Sequence, residues 1–314
     1  MSNVVVFGGG TGLSCLLSGL KLFPVDVTTI ITVTDNGSST GVLKEELDIP
    51  AVGDVGKVLL SMANVDKDYI RLLRYRFKKG ETLNNHPVRN ILLAALIDLK
   101  GNLTDATRYM SELLKIKGTV LPLTEEKIDL VGIGKDGNYF GEEEVSRNIS
   151  KIERLTLDHP VTVSQEIQDK IRNASLIIFS PGSLYTSIIP NLLADGVKEA
   201  IDESKAPLMY VANLVTQPGE TDDASLSSHL RVLNSYLGKR KLDITIANNA
   251  VINEEVTARY LEQENKKVVE IDRDNVDIDI IADSIFTLEN GTIRHNALKT
   301  AYLIFSYLMD KDLE

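Results

Sequence analysis

Four short loops in this 314-residue sequence are built from the residue types that hold phosphates and sugars. The first is GGGTG, in which Gly9, Gly10, Thr11 and Gly12 follow the β-branched run NVVVF. Glycines let a backbone approach an oxyanion closely, and a helix starting there would aim its first amides and its positive dipole end at the charge. The second loop, TDNGSSTG, presents Asp35, Asn36, Ser38 and Ser39 after another β-branched run. Asp35 stands where the acidic residue of a Rossmann-like unit meets a ribose or a metal-bound phosphate. The third, SPGSLYTS, offers Pro181, Gly182 and Ser183 as a second anion-facing helix start. The fourth, NLVTQPGETD, supplies Asn213, Thr216 and Gln217 as readers of a sugar or base, and Gly219 for close backbone approach. Taken singly, each loop has a bland alternative, because Asp, Asn, Gly, Ser and Pro dominate ordinary turns.

The glycine spacing is not the GxGxxG of dinucleotide folds, and no Gly-Lys-Ser/Thr follows it, so neither a nicotinamide site nor a P-loop is written here. Gly53 and Asp54 precede a helical stretch, where Asp54 is either an N-cap or a second metal or hydroxyl contact. With Asp35, Asp54 makes the candidate ligand pair for magnesium, the one cofactor these residues suggest, with no covalent group. His86 and Asn90 lie one helical turn apart, with no second His or Cys at metal-ligand spacing. Cys15, the single cysteine, sits in the apolar run LSCLLSGL and reads as a buried thiol without chemistry.

The elements that must position these loops alternate. NVVVF precedes a helical stretch from Gly12 to Phe23, with Leu13, Leu16, Leu17 and Leu20 on one face, and VTTIITVT follows. Later strands SLIIFS, PLMYVANL and KLDITIANN are each succeeded by helical patterns, and a closing helix is expected near Arg294 to Met309. Such alternation predicts an α/β fold, a Rossmann-like and mainly parallel sheet flanked by helices, with ligands bound beyond the carboxyl ends of the strands. In HPVRNILLAALIDLK, Pro87 suits a first helical turn and Ile91, Leu92, Ala95, Leu96 and Leu99 form the expected apolar stripe. Residues 118–157 change character around a KDGN turn and predict a small β-rich insertion within a single domain spanning 1–314.

Composition narrows the partners. A formal net charge of -11 argues against general nucleic-acid binding, which needs surplus Lys and Arg, yet leaves an anionic small ligand open because local backbone dipoles can bind it. No apolar run approaches the ~18 residues of a membrane span, and the start of the chain enters a strand at once, so membrane insertion is not expected. One cysteine among 314 residues fits a reducing compartment, the cytoplasm.

As an ordered set, GGGTGLS, TDNGSSTG, Gly53-Asp54, SPGSLYTSIIPNLL and NLVTQPGETD resemble the YvcK family of gluconeogenesis factors, within the wider group of the 2-phospho-L-lactate transferase CofD. The resemblance covers essentially the whole chain. It implies a UDP-sugar-binding regulatory protein that supports cell shape and wall synthesis during gluconeogenic growth, with a protein partner in wall synthesis and room for a homo-oligomer. It also implies that Tyr260 and Arg294 contact the nucleotide sugar. The alternative it carries is a magnesium-dependent transferase moving a phospho-group from a nucleotide-activated donor, and no evident general base separates the two. One departure stands out: relatives often carry GHxxGN, whereas this chain has NHPVRN, with Asn85 and Arg89 at the glycine positions. His86 and Asn90 still match, and Arg89 adds bulk and charge beside the expected ligand.

Overall fold

Runs that are β-branched along their whole length suit strands covered on both faces. In the computed structural model, which describes residues 1–313, NVVVFG forms β1 (Asn3–Gly8) and DVTTII forms β2 (Asp26–Ile31). They pair in parallel, with Val4 opposite Val27 and Phe7 opposite Ile30. Between them α1 (Gly10–Leu20) buries Leu13, Leu16, Leu17 and Leu20, the face expected from their spacing. Next come α2 (Ser38–Leu47), α3 (Gly53–Met62), α4 (Lys67–Arg74) and α5 (Val88–Lys100).

The buried face of α5 is not the predicted one. Leu93, Ala94, Leu96 and Ile97 are buried, while Leu99 is 76% exposed and Ala95 is also exposed. ILLAALIDL is apolar around much of its circumference, so periodicity admits two faces, and packing on the following helix Leu103–Leu113 and on α2, α3 and α4 selects between them.

The boundary expected at residue 118 also moves. β3 (Thr119–Pro122) is a short strand of the main sheet, parallel to β2, with Thr119 opposite Thr28. The inserted sheet comprises β4 (Leu130–Gly134), β5 (Gly137–Phe140) and β6 (Ile152–Leu157), all antiparallel. It carries a helix of its own, Glu142–Arg147. The main sheet resumes with β7 (Leu176–Phe179), β8 (Leu208–Val211), β9 (Ile244–Asn248) and β10 (Asp279–Asp283). A hairpin of β11 (Phe286–Glu289) and β12 (Thr292–His295) leads to the helix Ala297–Leu313, which packs on α1.

The seven strands lie in the order β10-β9-β8-β7-β1-β2-β3, and every neighbouring pair is parallel. The chain builds outward from β1 to β3, then returns to β7 on the other side of β1 and builds away from it. That reversal opens a crevice beyond the carboxyl ends of β1 and β7, where open parallel sheets bind ligands. Beneath the crevice, Phe7 and Phe179 stack with ring centroids 5.6 Å apart, which holds the two strands together at its floor. No helix of the described residues is long and apolar enough to cross a membrane.

Candidate functional site

The loop after β1 turns sharply because of its glycines. Gly9 is extended, Gly10 adopts φ +66°, and α1 begins at Gly10, whose amide bonds to Asp54, while its N-cap Gly9 has no side chain to cap the amides that follow. The left-handed φ at Gly10 is unfavourable for residues with a Cβ. Gly12 is required for another reason: a Cβ there would lie 2.0 Å from the carbonyl oxygen of Pro181. The β1 and β7 loops are therefore in backbone contact. The first amides of α1, at Thr11 and Gly12, belong to the wall of a cavity of about 410 Å³ that Pro181, Gly182 and Gln217 also line.

The loop after β7 is organised differently. Ser183 accepts from the amide of Thr186 (3.0 Å) and donates its hydroxyl proton to Glu220, and the Leu184 amide also donates to Glu220 (3.1 Å). Glu220 is 8% exposed, and burial pushes its carboxyl up to about 7. The anion position expected at Ser183 is thus taken by a side chain of the chain itself. Asn213 accepts from the Gly182 amide (2.8 Å) and donates to the Gly182 carbonyl (2.9 Å), so its amide group fastens one loop to the next. Thr216 is buried, and its hydroxyl accepts from the Lys267 amide (3.0 Å). Ser183, Asn213 and Thr216 line the cavity together with Gln217, which is half-buried on its wall.

Beside α1 three carboxylates converge. Asp54, at the start of α3, receives the Lys57 ammonium at 2.8 Å and is supported by the Gly10 amide. Burial still raises its carboxyl above the usual range, and the charge of Asp35 adds to that. Burial pulls the Lys57 ammonium down, but Asp54 and then Asp35 more than reverse this and its pKa ends raised. The third carboxylate is Glu142 from the inserted helix. Burial lifts it well above the carboxylate range, the charges of Asp35 and Asp54 lift it further, and its protonated form hydrogen-bonds to Asp35. The sequence reading missed Glu142, because GEEEV looks like a solvated acidic run. No group of three or more His, Cys, Asp or Glu among the described residues is placed to hold a metal ion. The neighbouring carboxylates Asp35 and Asp54 do suit magnesium, which is held by one or two carboxylates together with ligand phosphates.

Other predicted residues serve the scaffold. The Asn36 side chain accepts from the Glu143 amide (3.2 Å) and packs on Gly141, docking the insertion next to Asp35. Ser38 is exposed with φ +43°, outside the cavity lining. Ser39, His86 and Asn90 form a buried cluster: the Ser39 hydroxyl lies 2.8 Å from His86 Nδ1 and accepts from Asn90 at 3.3 Å. Asn85 keeps a left-handed backbone, φ +65°, a conformation Asn tolerates better than most residues. Gly219 has φ +87° beside Ile149 and Ser150 and does not line the cavity. Tyr260 is 6% exposed, and its hydroxyl accepts from the Ile293 amide (2.9 Å), so it supports the β11–β12 hairpin from below.

Arg294 lies in β12, not at a helix start, and borders both the smaller cavity and a neighbouring one of about 1080 Å³. Next to it His295, also missed from the sequence, donates Nε2–H to the Ala212 carbonyl (3.0 Å), and burial pulls its pKa down to about 4. It is a neutral wall residue near pH 7.

Comparison with known proteins agrees with this architecture. The model of the family described as 2-phospho-L-lactate transferase CofD matches residues 4–286. A putative gluconeogenesis factor of Thermotoga maritima is 40% identical over 96% of this chain and 98% of its own length. The gluconeogenesis factor of Bacillus subtilis is 38% identical over 98% of both chains. The crystal structure of a Bacillus halodurans protein superposes with a TM-score of 0.93 at 38% identity, covering 97% of this chain and 99% of that one. With its sheet order, its glycine loops and its near full-length relatives all in agreement, the chain belongs to the CofD family, in the group whose curated members are named gluconeogenesis factors.

Proposed function

We propose that this protein binds a nucleotide sugar of the UDP-sugar type and acts as a regulator, with the diphosphate at the start of α1. The observation that carries the reading is the start of α1 at the strand-order reversal, where Asp54 takes the Gly10 amide and Thr11 and Gly12 lie on a cavity wall. Two adjoining cavities of about 410 and 1080 Å³, both bordered by Thr11 and Arg294, accommodate a ligand longer than a mononucleotide. Gln217 is one of the polar side chains on the wall that can meet sugar hydroxyls. Asp35 and Asp54 would hold magnesium with the ligand phosphates, where it would neutralise phosphate charge. The regulatory reading extends to cell shape and wall synthesis under gluconeogenic growth, through a protein partner. The relatives' name supports only its gluconeogenic part.

A thermal-shift series with UDP-sugars, nucleoside diphosphates and dinucleotides, with and without magnesium, tests the binding. A ligand at 100 times its Kd contributes about 2.7 kcal/mol of stability. Asp35→Asn should weaken the magnesium-dependent part most, and no response to any UDP-sugar contradicts the reading.

A second reading is transfer of a phospho-group from a nucleotide-activated donor, which Glu142 favours. A buried carboxyl pushed up to about 8 beside the phosphate loop is largely protonated near pH 7 and is the kind of group that donates a proton to a leaving oxygen. The two readings divide on turnover: the regulator binds UDP-sugar and magnesium saturably and releases no UDP, UMP or sugar phosphate. The transferase forms product over many turnovers, and Asp35→Asn abolishes it.

A further inference from the structure

The cavity of about 1080 Å³ lies between α1, α3, α4 and the β11–β12 hairpin, and its charge is opposite to that of the protein. Lys21, Lys57, Lys67, Arg74, Arg89 and Arg294 line it, against the single acid Glu289, in a chain of net charge -11. Two of these cations are already engaged. Lys21 donates to the carbonyls of Ser61 and Ala63 at 2.9 Å each, and Lys57 pairs with Asp54 at 2.8 Å.

Arg89 is different. It is 7% exposed, its stem lies against Gly56, and its Nε is a buried donor with no partner. No carboxylate forms an ion pair with it among the described residues: Asp54, the nearest compensating charge, is bonded to Lys57. Burial, followed by the charges of Arg76 and Arg74, pulls the guanidinium down to about 10. An arginine buried without a counter-ion is among the costliest groups a fold can carry, and such groups are normally paired. A guanidinium also presents a planar fork that matches an oxyanion with two parallel hydrogen bonds.

We propose that this cavity contains an oxyanion-binding subsite, anchored by Arg89 and flanked by Arg74 and Lys67, for a phosphate-type group separate from the one at the start of α1. The missing counter-ion of Arg89 is the bound anion. The subsite belongs to this chain's NHPVRN sequence: Gly56 leaves the space the Arg89 stem occupies, since a Cβ there would approach Arg89 Cδ to 3.2 Å. The subsite needs no nucleotide, so it can be tested apart from the UDP-sugar reading.

Inorganic pyrophosphate is the probe, titrated calorimetrically into the full chain at low ionic strength and compared with Arg89→Leu and Arg89→Lys. The wild type should bind it saturably. Arg89→Leu should bind about tenfold more weakly or worse, as loss of a charged hydrogen-bonding pair implies. Its unliganded Tm should equal or exceed that of the wild type, because an uncompensated buried charge has gone. Arg89→Lys should fall between the two, retaining charge but not the fork. Absence of saturable binding by the wild type overturns the proposal. Wild-type affinity in Arg89→Leu assigns the anion to the glycine loop, and a lower Tm in that variant makes Arg89 a packing residue; either result also overturns it.

Discussion

The loops after β1 and β7 lie side by side at the reversal of strand order, both turning through glycine and both leading into a helical turn, yet their amides face different partners. At β7 the Leu184 amide and the Ser183 hydroxyl are held by Glu220, 8% exposed, from the loop after β8. At β1 the carboxylate of Asp54 engages only the Gly10 amide, and Thr11 and Gly12 border a cavity. The same motif type therefore does two jobs. One loop is closed by an internal carboxylate at its Ser183 hydroxyl and Leu184 amide, while at the other Asp54 takes only the Gly10 amide and leaves Thr11 and Gly12 to an external anion. A helix start is an electrostatic invitation that the chain itself can accept, and only the three-dimensional neighbours show whether it has.

The two loops are also mechanically joined, and breaking that joint should have the largest effect. Gly12→Ala would drive a Cβ to within 2.0 Å of the Pro181 carbonyl oxygen, which no side-chain rotation relieves. We expect a loss of about 3 kcal/mol in urea denaturation, together with loss of ligand binding. A loss under about 1 kcal/mol would mean that the loops separate freely.

Glu220→Gln probes the closed loop through pH. The folded carboxyl is raised to about 7, above an unfolded value of about 4.3. Its contribution to stability is therefore fully present below the unfolded value and is lost as pH rises through the folded one. Wild-type Tm should carry a downward step between pH 5 and pH 8, and the neutral Gln should remove it. Parallel pH profiles for the two proteins would place Glu220 in a more polar setting than described.

Gly10→Ala probes the open loop. A Cβ there meets only Asp54 oxygens, at 3.8 and 3.9 Å, so the strain comes from φ +66° alone. About 1–2 kcal/mol of stability should be lost, with a larger proportional loss of nucleotide affinity. The bulkier Gly10→Val should abolish binding while secondary structure survives, as read by circular dichroism. The smallest effect is expected from Ser183→Ala, about 1 kcal/mol, because the Leu184 amide still reaches Glu220 at 3.1 Å.

Much of this arrangement was legible in the chain. β-branched runs alternating with leucine-striped helices announce a parallel sheet, and the loops that follow NVVVF and SLIIFS do meet at the reversal of strand order. What escaped reading are partners distant in sequence. Glu220 belongs to a motif read as ligand-facing, but it closes a loop 37 residues earlier. Glu142 arrives on an inserted helix that Asn36 docks, a contact 107 residues apart in sequence. β3 is only four residues long and carries no alternation of its own, so it merged with the insertion in a sequence reading. Tyr260 and the His86–Asn90 pair have the types of ligand contacts, but Tyr260 is fixed by the Ile293 amide and the pair by Ser39. Residue type alone does not separate a binding group from a buried polar group held within the fold, and Asn90 stands between the two, its Nδ2 bonded to Ser39 and its Oδ1 buried without a partner.

The central claim, that the β1 loop receives the anion and the β7 loop does not, is tested most directly by backbone amide NMR during titration with uridine diphosphate and magnesium. The Thr11 and Gly12 amides should shift in proportion to saturation, with the Leu184 amide unchanged because Glu220 already holds it. Shifts at Leu184 with Thr11 and Gly12 silent would contradict the account, since the ligand would then have displaced Glu220 and left the open helix start unused.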